Sequence, residues 1–174
     1  VIDFEAIALD VRAQLAPRLS ALEPVPLATL ASPRAIETTS GSLLVRASTS
    51  GSVPHHVWGM TTFEPGRAWI WLTREAWPEL ALGVPRTRWS VAHELGHVVL
   101  HGEELEGLDE RAEVEHHARL EAEANRFAAH LLVPDAALKR LGANASTTAL
   151  DVIAKRFGVS TLAAGRRLEE WSMR

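Results

Sequence analysis

The chain has 174 residues, 47% of them apolar, with 18 basic and 22 acidic side chains for a net charge of −4. That suffices for one compact domain with a real core and is too little for two large ones. The absence of cysteine excludes disulfides and thiolate-bound zinc, and the acidic balance gives no global field to draw in nucleic acid.

Residues 4 to 22 read as an amphipathic helix, with Phe4, Ile7, Ala8, Val11 and Leu15 on one side, broken near Pro17. Its acidic head is unlike a signal peptide, and no later stretch could span a bilayer, so a cytoplasmic protein without membrane attachment is expected. A Pro-rich connection, EPVPLATLASPR, leads to a Ser/Thr/Gly stretch from Thr38 to Ser52, expected to be partly mobile around one short strand, LLVRA. Next, HHVWGMTTFE, the turn Glu64-Pro65-Gly66-Arg67 and AWIWLT form an antiparallel hairpin. Trp69 and Trp71 share a face there, and such residues serve more often in the core or against a helix than as a substrate platform. An edge strand beside a catalytic site can nonetheless take up an extended peptide.

From Arg86 onward the chain is helical, and its first helix carries His93-Glu94-Leu95-Gly96-His97 inside the apolar run WSVAHELGHVVLH. Positions four apart share a helix face, so His93 and His97 can present imidazoles to one metal ion. Glu94 is rotated about 100° from His93. It is badly placed to be a ligand and well placed to hold and deprotonate a metal-activated water, the arrangement of a zinc-dependent hydrolase.

A catalytic zinc needs a third protein ligand. The metzincin spacing is excluded, because Leu100 and Glu103 stand where its glycine and third histidine would be. His101 continues the series but lies about 40° further round and a turn away, better placed to brace the site or cap the helix. The stretch from Arg111 to Leu132 has no Gly or Pro and forms a second helix. On it Glu121 and Glu123 point about 200° apart, so only one can face the metal. Glu123, between Arg119 and Arg126, reads as part of a solvated ion-pair face. Glu121 shares its side with His117 and Asn125, and Asn125 can orient a ligating histidine from behind. Glu121 is the preferred ligand.

These two blocks, WSVAHELGHVVLH and LEAEANRFAAHLLVP, about twenty residues apart, resemble the ImmA/IrrE metallopeptidases, whose pattern is HELGHxxLH followed by ExxANxFAAxLLMP. Val133 stands where methionine is usual. The closing segment ALDVIAKRFGVSTLAAGRRLEEW is also similar, while the first eighty residues match much less well. The resemblance implies His93, His97 and Glu121 as metal ligands and Glu94 as general base. It further implies a cytosolic regulatory protease that relieves repression by cleaving a helix-turn-helix repressor, often in stress-response circuits.

The expected fold is α+β: a zincin-like core (1–145) with a small antiparallel sheet packed on the HExxH helix, then a C-terminal helix pair (146–174) on the same domain. That pair has helix-turn-helix spacing around Gly158-Val159-Ser160 but is only mildly basic, so packing or partner docking is favoured over direct DNA binding. Zinc suits two His and one Glu best, with manganese or iron also possible. The chain has no tyrosine, a common oxyanion donor; His117 is the first candidate, with His116 and His101 as alternatives. Between Glu103 and Glu123 nine acidic residues face only Arg111 and Arg119, either a solvated surface or a lure for a basic substrate. Two other functions remain open: a weakly catalytic binding partner of antirepressor or toxin–antitoxin type, and a DNA-binding regulator.

Overall fold

The computed structural model describes residues 2–51, 53–54, 58–106, 114–142 and 147–173, without the side chains of 103–106 and 147–148. Helix α1 (Phe4–Leu15) starts at Asp3, whose carboxylate accepts from the Ala6 amide at 3.0 Å. It ends at Leu15 rather than 22, because the residue before a proline is driven out of helical geometry and Ala16 is extended ahead of Pro17. A short 3-10 turn, Leu27–Ala31, then drops Leu27 and Leu30 into the core.

The Ser/Thr/Gly stretch is more ordered than its composition suggests. Strands β1 (Arg34–Thr38) and β2 (Gly41–Thr49) pair as an antiparallel hairpin, with Ile36 opposite Leu43. Strands β3 (Gly59–Glu64) and β4 (Arg67–Leu72) form the expected second hairpin. Pro65 and Gly66 (φ +72°) occupy its turn, the pairing that a type II turn prefers. The order is β1-β2-β4-β3, and β2 runs parallel to β4 with Arg46 opposite Trp69, so the sheet is mixed and not antiparallel as expected. Strand β3 is one edge.

Along β4, Ala68, Ile70 and Leu72 are buried, whereas Trp69 and Trp71 are half-buried on the other face. The two indoles stack on each other at 5.1 Å. The expectation that they pack in the core or on a helix is therefore corrected: strand alternation gives the core side to the aliphatic residues.

Helix α2 (Ala76–Leu82) stops at Gly83 in left-handed geometry. Helix α3 (Pro85–Glu106), opened by a proline that suits the first helical position, lies between the sheet and helix α4 (Val114–Leu132). Short α5 (Asp135–Arg140) leads to α6 (Thr147–Phe157) and α7 (Thr161–Ser172). Ile153, Phe157, Val159, Ala164 and Leu168 join the same core as α3 and the sheet. Buried Arg167 clamps α7 down, donating to the Val133 carbonyl at 2.9 Å and pairing with Asp135 and, at 3.5 Å, with Glu5. Glu5 also takes a 2.7 Å bond from buried His130, so α1, α4, α5 and α7 meet in one polar cluster. Among the described residues, no helix is long and apolar enough to cross a membrane.

Candidate metal centre

The first site residues follow from how closely α3 and α4 approach. Gly96 faces α4, and a Cβ there would lie 3.1 Å from the Ala124 Cα, the Ala124 carbonyl oxygen and the Phe127 ring. Glycine is required for this spacing, and Ala124 is three residues from Glu121 on the same helix. The close crossing brings Glu121 over α3.

There three acceptor groups converge. The Nε2 atoms of His93 and His97 are 3.1 Å apart, and the two Glu121 oxygens lie 3.2 Å from them, Oε2 from His93 and Oε1 from His97. Tetrahedral ligands at ~2.0–2.1 Å from zinc stand ~3.3 Å from one another, so this triangle is the right size.

Hydrogen bonds behind the imidazoles fix their tautomers. His93 Nδ1 is 3.1 Å from Asn125 Oδ1, an acceptor, so Nδ1 carries the proton and Nε2 a lone pair. His101 Nε2 donates to Glu123 Oε2 at 2.9 Å, which leaves His101 Nδ1 to accept from His97 Nδ1 at 3.2 Å. His97 Nε2 is thereby also a lone pair. Burial, reinforced by neighbouring His93 and His101, pushes the His97 imidazole down to about 3, so it is neutral at any ordinary pH. Two lone pairs and a carboxylate facing one point repel unless a cation sits between them, so the donor set fits a divalent metal.

Glu94 projects beside this triangle into a cavity of about 540 Å³ lined by β3 residues Gly59, Met60 and Thr61 and by Trp58, Trp89, Ser90 and Asn125. Thr61 donates to Glu94 Oε2 at 2.7 Å. Burial raises the Glu94 carboxyl above its usual range; the Thr61 bond and His93 oppose this and Glu121 adds to it. A carboxylate raised in this way is suited to taking up a proton.

A family model for the IrrE N-terminal-like domain of the Peptidase M78 family matches residues 81–169, just over half the chain. The chain belongs to that family. It is a metallopeptidase family, and the matched segment runs from the end of α2 through α3, α4 and most of α7, holding every residue of the triangle. The sheet that supplies the cavity's other wall lies outside it. A comparison with curated proteins finds no match.

The structure brings together His93, Glu94, His97, Glu121 and Asn125, with His101 behind His97. It does not bring His117, which is exposed in the first turn of α4 and does not line the cavity; His116 is half-buried outside it too. Ser90 and the Asn125 amide are among the donors that line the cavity. Glu123 is not merely a solvated partner of arginines. It holds His101 and Arg119 (3.0 Å), while Arg126 turns instead to Glu170 on α7 at 2.9 Å. Thr61 was not foreseen, since nothing local distinguishes it from Thr62 until the register of the edge strand is known. Most of the acidic stretch, residues 107–113 and the side chains of 103–106, lies outside the described residues.

Proposed function

We propose that the chain is a zinc-dependent peptidase of the zincin type. The observation that carries this reading is the convergence of two lone-pair nitrogens and one carboxylate at 3.1–3.2 Å beside a second, half-buried carboxylate. His93, His97 and Glu121 would hold the ion, which when bound supplies Lewis acidity and lowers the pKa of water. Glu94, positioned by Thr61, accepts the water's proton at Oε and passes it to the leaving amine. Asn125 and the His101–Glu123 pair keep the two imidazoles in the ligating tautomer. Ser90 or the Asn125 amide is a better-placed donor to a developing oxyanion than His117. Edge strand β3, which lines the cavity, offers its free backbone groups to an extended substrate.

The motif pattern shared with ImmA/IrrE proteins supports a regulatory role in the cytoplasm, with a helix-turn-helix repressor as substrate. On this reading α6 and α7 pack and dock rather than bind DNA. The test is hydrolysis of a labelled protein mixture by the zinc-loaded chain against Glu94→Gln. Cleavage lost in the variant, with metal retained, supports a peptidase; equal cleavage in both, or none in either, rejects it.

A further inference from the structure

A second and larger cavity, about 830 Å³, opens between the start of α3, the middle of α4 and α7. It adjoins the metal cavity, since Trp58, Trp89, Ser90 and Asn125 line both. Its walls are apolar: Trp58, Trp89, Pro85, Ala129, Ala163 and Leu162, the last 64% exposed although a large aliphatic residue. An exposed leucine in a concave apolar wall marks a place where another chain can bury surface.

Charge narrows the occupant. Four arginines and one glutamate line the groove. Arg126 is neutralised by Glu170, and Arg167 by Asp135 and Glu5. Arg86 and Arg166 are exposed and have no carboxylate partner among the described residues. The Arg86 guanidinium carbon lies over the Trp58 ring, 3.8 Å from its centre. Trp58 in turn donates through Nε1 to Thr87 (2.9 Å), which donates to Glu79 (2.5 Å). The wall between the two cavities is thus fixed in advance, and the guanidinium above it has no carboxylate partner among the described residues.

We propose that this groove docks the substrate segment flanking the scissile bond and selects an apolar segment bearing acidic side chains. The inference rests on the peptidase reading and adds a substrate class to it. Apolar side chains bury against Trp89, Ala163 and Leu162, and carboxylates on the segment meet Arg86 and Arg166 at the rim. Complementary rim charge of this kind sets partner choice and orientation more than raw affinity.

The test uses zinc-loaded Glu94→Gln protein, so that nothing is consumed, and two short fluorescein-labelled peptides of alternating leucine and charge, one with glutamates and one with lysines. Fluorescence polarisation should show the glutamate peptide bound about tenfold or more tightly than the lysine peptide. Arg86→Glu with Arg166→Glu, both at exposed positions, should reverse the order in protein whose unfolding midpoint matches the parent's. No binding of the glutamate peptide, or a preference that the double reversal leaves unmoved, overturns the proposal. The same peptides offered to protein retaining Glu94 separate the two readings. Arginine-dependent binding without hydrolysis would keep the groove as a binding site and reject the peptidase. Hydrolysis indifferent to both arginines would keep the peptidase and reject the groove.

Discussion

Replacing Gly96 by alanine adds one methyl group at the tightest point between α3 and α4. Its Cβ would sit 3.1 Å from two Ala124 backbone atoms and from the Phe127 ring. Ordinary contact begins at about 3.4 Å, so the helices must separate by a few tenths of an ångström, and backbone atoms cannot swing aside as a flexible side chain can. Overpacking of this kind costs ~1–3 kcal/mol, while alanine recovers ~1 kcal/mol of helix propensity over glycine. The net loss of stability is therefore small, ~0–2 kcal/mol, or at most ~8 °C in Tm for a chain of this size. Metal binding should suffer more, because Ala124 moves on the same helix as Glu121 and Asn125, and misplaced ligand support weakens affinity ~10–100-fold. Urea unfolding of the metal-free protein and calorimetric zinc titration separate the two effects. Unchanged zinc affinity in Gly96→Ala would refute the claim that the glycine exists to bring Glu121 over the histidines.

Three further expectations follow from other contacts. Glu123→Gln or His101→Phe removes the group that sets the His97 tautomer, so zinc affinity should fall ~10–100-fold with stoichiometry unchanged; equal affinity in titrations would show that the chain behind His97 is incidental. His97 is depressed to about 3 in the folded protein and is ordinary, near 6.5, when unfolded, so between these values the unfolded chain binds the extra proton and stability falls as pH falls. The metal-free protein should lose about 2 kcal/mol from this group between pH 6.5 and 5, and His97→Gln should flatten that slope in urea midpoints; parallel slopes would contradict it. Arg167→Met strands Glu5, Asp135 and the Val133 carbonyl without their cation and should cost ~3 kcal/mol, read as a fall of ~6–12 °C in Tm; a variant as stable as the parent would mean that the cluster is neutral overall.

The relative placement of the candidate site's residues is more legible in the sequence than the fold around them. His93, Glu94 and His97 are fixed relative to one another by a single helix, so spacing alone relates them, and Glu121 was separable from Glu123 by what shares its face. Rotation along α4 does not predict that Glu123 pairs with His101 behind His97, because that depends on His101 reaching it from another helix. Strand β2 was underread: Leu43, Val45 and Ala47 alternate inward, but Leu44 on the outer face and the surrounding serines, threonines and glycine blurred the period. The parallel pairing of β2 with β4 is a long-range choice that no local pattern encodes. Helix spacing places Arg126 beside Glu123, whereas in the structure it pairs with Glu170, since a partner 44 residues away is invisible to an i, i+3 rule. His130 and Arg167, buried and paired with residues at the other end of the chain, escaped for the same reason.

On the proposed reading, His93, His97 and Glu121 form one metal site. Elemental analysis of dialysed protein after zinc loading tests it most directly. About one zinc per chain is expected, lost in Glu121→Ala and, at saturating metal, kept in Glu123→Ala. A parent protein that takes up no zinc, or a Glu121→Ala variant that holds it as well as the parent, would contradict the account.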